Sequence, residues 1–217
     1  MKNVYKRVIT GIVGIVLLWL LYKQCPTIAI SIIIAAALTL ILIFEWPKLA
    51  KKNKLIWLLT PLYPIAPCIL LILLNHSGIY RVLFAFLLIS VFAADTGAYF
   101  IGTKFGKHLI APRISPKKSW EGLIGSAVFS YIILALALSS SEKQFSHILV
   151  IITSIAICIV AFAGDLFESY LKRKAKIKDS GSILPGHGGL LDRLDSILFV
   201  APFFYFGRTI LMKLFGF

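Results

Sequence analysis

The sequence predicts an all-α fold, a polytopic transmembrane helical bundle of about seven spans, on three observations. Of 217 residues, 59% are hydrophobic and the mean hydropathy is +0.91, well above the roughly 45–50% apolar content of soluble domains. Apolar runs near the roughly 18-residue length of a membrane helix recur along the chain. With the N-terminus inside, 18 of the 23 Lys and Arg fall in the inside connections and five outside, as the positive-inside rule requires.

The spans are drawn at about 5–22, 26–44, 55–74, 79–101, 120–140, 147–166 and 196–215. They make one integral-membrane domain, 1–217, with N-terminal spans in 1–101 and a catalytic half in 102–217. That half carries loops 102–119 and 167–195, expected to face the cytoplasm. The net charge of +14 could suggest nucleic acid. Its placement in short connections fits membrane topology and anionic phosphate substrates instead, so no nucleic-acid partner is expected.

The first span has a basic start and an apolar core, like a signal peptide, but no small-residue cleavage site follows. Lys23 and Gln24 before Cys25 do not suit a lipoprotein site, so an uncleaved helix is expected. Cys25, Cys68 and Cys158 stand alone in or beside apolar runs and read as small packing residues. Pro61, Pro64 and Pro67 each remove a backbone donor, which predicts a kinked or broken third span. Trp19, Trp46, Trp57 and Trp120 lie near span ends, where interfacial anchors sit.

Asp95 lies deep in the fourth span. A carboxylate there costs about 2.5–3.5 kcal/mol on insertion scales and faces a bundle interior or a cavity. In the basic loop that follows, Lys117 and Lys118 are compact cations suited to phosphate oxygens. Ser119 is placed to cap the next helix, with Glu121 in its first turn.

The longest polar stretch runs from Ser169 to Ser196. Asp165, Ser169 and Lys172 are spaced for one helix face, with Glu168 beside them. Asp192 and Asp195 share a face of the helix opening the last span. Pro185, Gly186, His187, Gly188 and Gly189 form a turn whose glycines let backbone N–H groups approach a phosphate, near a helix N-terminus. No Walker lysine pattern is present. His187 either donates to a phosphate or caps the turn. Lys174 and Lys176 read as solvated charges, whereas Lys172 and Arg173 are better phosphate candidates. Spacing alone does not choose Asp165 and Asp192 over Asp95 or Asp195 as cation ligands.

Ser169, Leu171-Lys172-Arg173, Lys178-Asp179, Gly181, Leu184-Pro185, His187 to Leu190 and Asp192 to Asp195 together resemble the signature of the phosphatidate cytidylyltransferase family. Pro116 to Gly122 resembles a second motif of that family, and the segment at Asp95 is similar to an acidic one in it. The resemblance implies CTP and phosphatidic acid as substrates and CDP-diacylglycerol and pyrophosphate as products. It also implies a paired cation site, Mg²⁺ with a second cation such as K⁺, held by Asp165 and Asp192 and supported by Asp195. Lys172, Arg173, Lys178, His187 and Arg193 would contact phosphates, and Lys117, Lys118, Ser169, Asp179, Gly188, Gly189 and Asp95 would complete substrate binding. The apolar run before Asp165 and the kinked helices would hold acyl chains among membrane lipids. A bacterial inner-membrane location is implied, and a homodimer is left open.

Two rivals stand beside this reading. One is a CTP-dependent lipid-alcohol kinase. The other is an ion-coupled transporter using Asp95 and Asp165, although the chain's halves show no internal repeat. A CDP-alcohol phosphotransferase fits less well, because Asp195-Ser196-Ile197 does not supply the Asp-Gly dipeptide that family uses.

Overall fold

The computed structural model describes residues 20, 22–51, 54–139, 145–183 and 188–216. Among these, five helical stretches are long and apolar enough to cross a membrane, and a bent pair makes up to six. Most of the predicted first span lies outside the described residues.

The first described stretch starts after Pro26 as α1 (Thr27–Leu40), passes through a π-helical turn (Ile41–Glu45) and ends in α2 (Trp46–Ala50). Pro47 supplies no N–H, and just before it the hydrogen-bond ladder slips, with the Trp46 N–H reaching the Ile41 carbonyl. The proline-rich span is broken as predicted. It consists of α3 (Ile56–Leu59), a second π-helical turn (Pro61–Ile65) and α4 (Ala66–His76), with Tyr63 in an extended conformation at the break. A short 3₁₀ turn leads into α5 (Arg81–Phe105).

The basic loop after α5 is not irregular. It folds into an antiparallel hairpin of β1 (Leu109–Ala111) and β2 (Ser115–Ser119), a small ribbon within the helical bundle that the sequence predicts. Pro116 is tolerated in this two-stranded ribbon, where strands have free edges. Helices α6 (Trp120–Ser139) and α7 (His147–Ala175) follow. α7 runs past the predicted end of its span, and α8 (Leu191–Phe206) starts before the predicted start of the last one. The polar connection is therefore 176–190 rather than 167–195. The last span turns by 83° at Gly207 into α9 (Arg208–Leu214).

Small residues let α5 and α6 approach closely. A Cβ on Gly97 would meet the Gly125 carbonyl and the Phe129 ring, and one on Gly125 would strike Ile101. Close backbone approach of this kind replaces the hydrophobic drive that is missing between helices in lipid. Tyr63 packs at 5.8 Å from Trp46, 5.3 Å from Phe167 and 5.6 Å from Phe199, joining the broken span to α7 and α8. Trp57 and Trp120 are exposed, as interfacial anchors are. Trp46 is fully buried, and its Nε1 donates to Thr60 Oγ1 at 2.8 Å, so it is a packing residue rather than an anchor.

Candidate active site

Where α5, β2, α6, α7 and α8 converge, they enclose an open cavity of 410 Å³. Four carboxylates line it, Asp95, Asp165, Asp192 and Asp195, together with four cations, Lys117, Lys118, Lys172 and Arg193. All eight were expected at the site from the sequence. Asp95 is exposed toward this space, which relieves the cost of holding a carboxylate within a membrane helix.

Two of the cavity's cations, Lys118 and Lys172, form ion pairs with its acids. Lys118 Nζ lies 2.6 Å from Asp165 Oδ2 and 4.7 Å from the centroid of the Phe162 ring. Ser169 Oγ donates to Asp165 Oδ1 at 3.3 Å. The helical spacing of Asp165, Ser169 and Lys172 is thus realised, although Ser169 stands behind the acid rather than in the cavity lining. One turn on, Lys172 bridges two acids, forming an ion pair with the fully buried Glu168 and donating to Asp192 Oδ1 at 2.6 Å.

Asp192 is held further by its own loop. Its Oδ2 accepts from Ser180 N at 3.0 Å and Gly189 N at 2.8 Å, and Ser180 Oγ lies 3.1 Å away. Asp195, buried, accepts from Ser196 N at 2.8 Å through Oδ1.

The remaining candidates fall elsewhere. Arg173 Nε donates to the Ile114 carbonyl at 3.3 Å, so it fastens α7 to the hairpin turn instead of lining the cavity. Lys178 and Asp179 are exposed outside it, and Gly188 and Gly189 are not among its lining residues. His187 lies outside the described residues, with Leu184, Pro185 and Gly186. Ser119 caps α6 through a 3.2 Å bond to Gly122 N, as expected. Glu121 instead accepts from the amides of Lys107 and His108 at 3.1 and 3.3 Å, and its Oε1 lies 2.6 Å from His108 Nδ1. It thereby ties the hairpin to the helix that follows.

Sequence reasoning missed Glu45. Fully buried at the end of the first π-helical turn, it accepts from Leu190 N at 2.7 Å, Leu191 N at 2.8 Å and Ser180 Oγ at 3.0 Å. Its only local signal was a carboxylate at the end of an apolar run.

A second hollow of 540 Å³ lies between α6 and α7. Trp120, Ile124, Val128, Ile151, Ile155 and Ile159 help to line it, and it shares Leu123 and Cys158 with the charged cavity.

Fold and cavity together define a polytopic membrane protein whose charged pocket adjoins an apolar groove. The chain belongs to the cytidylyltransferase family, whose model matches residues 3–211. It is 39% identical to a phosphatidate cytidylyltransferase of Haemophilus influenzae over 77% of this chain and 63% of the relative. It is 32% identical to one of Bacillus subtilis over 95% of this chain and 81% of the relative. It is 34% identical to one of Rickettsia typhi over 94% of this chain and 91% of the relative.

Proposed function

We propose that this chain is a CTP:phosphatidate cytidylyltransferase, active at the cytoplasmic face of a bacterial inner membrane. The observation that carries the reading is the shared wall of the two hollows. A phosphate placed among Lys117, Lys118, Lys172 and Arg193 has an apolar groove at its back, reached past Leu123 and Cys158. Only an amphiphile with an anionic head uses both. The groove is built partly from the apolar run before Asp165, where acyl chains were expected.

In the reaction, a phosphate oxygen of phosphatidic acid attacks the α-phosphorus of CTP. A new P–O bond forms, the α–β P–O bond breaks, and pyrophosphate leaves. Little covalent work falls to the protein, and positioning and charge neutralisation supply the catalysis. Lys118 and Lys172 already act as counter-cations to Asp165 and Asp192 and are the groups that exchange these acids for substrate phosphates.

The donor set suits a divalent cation. Asp165 and Asp192 each receive an ammonium on a carboxylate oxygen, and Mg²⁺ is typically held by one or two carboxylates plus substrate phosphates. On this reading the substrate phosphates supply the cation's remaining ligands. When bound, the cation would neutralise charge on the transferring phosphoryl group. Asp195 and Asp95 are the remaining carboxylates for a second cation.

The test supplies purified protein with phosphatidic acid, labelled CTP and Mg²⁺ and identifies both products. CDP-diacylglycerol with pyrophosphate is expected, and Ala127→Trp, which fills the groove, should raise KM for long-chain phosphatidic acid but not for CTP. CDP with a phosphorylated alcohol, or no CTP consumption, would overturn the reading.

A further inference from the structure

Glu45 is a buried carboxylate whose hydrogen bonds, among the described residues, come from neutral donors, and the reaction written above does not use it. It sits at the N-terminal end of α8. There the amides of Leu190 and Leu191 have no partner within the helix, and a carboxylate is favoured by the positive end of the helix dipole. Ser180, itself fully buried, stands between two acids, with its Oγ 3.0 Å from Glu45 Oε2 and 3.1 Å from Asp192 Oδ2.

The glycines nearby are explained by the same group. A Cβ on Gly181 would come 2.7 Å from Glu45 Oε1, and one on Gly189 would come 2.9 Å from that oxygen and collide with Ser180 Oγ. At these two positions glycine makes room for Glu45 and Ser180, not for an incoming phosphate. The end of the loop therefore closes around a post supplied by a helix far away in the chain.

We propose that Glu45 is a positioning residue for nucleotidyl transfer: with Ser180 and the Leu190 and Leu191 amides, it presets the loop that holds Asp192 facing the cavity. The residue touches neither substrate in this assignment. It acts through Asp192, and its loss should impair the use of CTP, which meets that acid, more than the use of phosphatidic acid, whose chains lie between α6 and α7. The inference rests on the cytidylyltransferase reading given above.

Glu45→Gln tests it, because the substitution keeps size and places an amide N–H against donors that need an acceptor. Two measurements are made on the full chain in detergent. Hydrogen exchange at Ser180, Leu190 and Leu191 should accelerate while exchange in α5 and α6 stays unchanged. KM for CTP should rise about tenfold, equivalent to about 1.4 kcal/mol, with KM for phosphatidic acid unchanged. Glu45→Asp, which restores the charge, should recover part of the CTP effect. Unchanged exchange overturns the proposal, as does an equal loss toward both substrates or a loss that tracks the folded fraction. A wild-type protein that does not turn over CTP with phosphatidic acid instead overturns the reaction assignment, and this proposal with it.

Discussion

The acids of the cavity differ in how firmly they are built in. Among the described residues Asp165 meets the Lys118 ammonium and the Ser169 hydroxyl, and its side chain is 39% exposed. Asp192 is 11% exposed and gathers Lys172, the amides of Ser180 and Gly189, and the Ser180 hydroxyl. Their Asp→Asn variants should therefore part company. Asp165→Asn should lose at least about a thousandfold in turnover, a cost of about 4 kcal/mol, with its thermal midpoint near wild type. Asp192→Asn should lose as much activity and also stability, because an amide N–H would face backbone donors that need an acceptor. Turnover and thermal unfolding on the same preparations check both. Both acids were legible in the sequence, through helical spacing and resemblance. Glu45 was not, since its partners lie 135, 145 and 146 residues along the chain and no local pattern announces them.

At the scale of elements, apolar runs and prolines predicted the spans and the broken helix, because length, hydropathy and a missing donor are local properties. Partner choice between helices is not local. Gly97 and Gly125 show why α5 and α6 pair, but only once the backbones are in contact. Gly125→Leu should force these helices apart, since overpacking typically costs about 1–3 kcal/mol. The thermal midpoint in detergent should fall, and activity should fall with it, because both helices line the cavity. The hairpin escaped prediction for a related reason. Its motif reads as a basic loop, and only the tie of Glu121 to the amides of Lys107 and His108, with Trp120 N donating to the His108 carbonyl at 3.0 Å, closes it onto α6.

In the whole molecule, the polar contacts sort to two ends. Glu45 meets the loop before α8, and Arg173 meets the hairpin turn, at one end. At the other, Asn75 Nδ2 donates to the Thr27 carbonyl at 2.8 Å and Arg81 to the Cys25 carbonyl at 3.2 Å. The connections around Lys51, Lys107 and Lys178 thus share an end, in agreement with the charge split of the sequence. Single cysteines at these three positions, in a chain freed of its own cysteines, should all resist an impermeant reagent added to sealed cells. Labelling from outside at any one would refute a cytoplasmic site.

The even match of acids and bases around the cavity bears on how an anion finds it. By formal count, four carboxylates cancel four cations in the lining, so the chain's formal excess of +14 resides elsewhere. Exposed Lys104, Lys107, Arg113, Lys174, Lys176 and Lys178 carry part of it at the end of α5, around the hairpin and around the end of α7. At physiological ionic strength such a field extends only about 8 Å, whereas partly buried pairs are screened much less. On the proposed reading, capture of a nucleotide from solution falls to this outer collar and should slow as salt is added. The counter-ion pairs within, once reached, keep their strength.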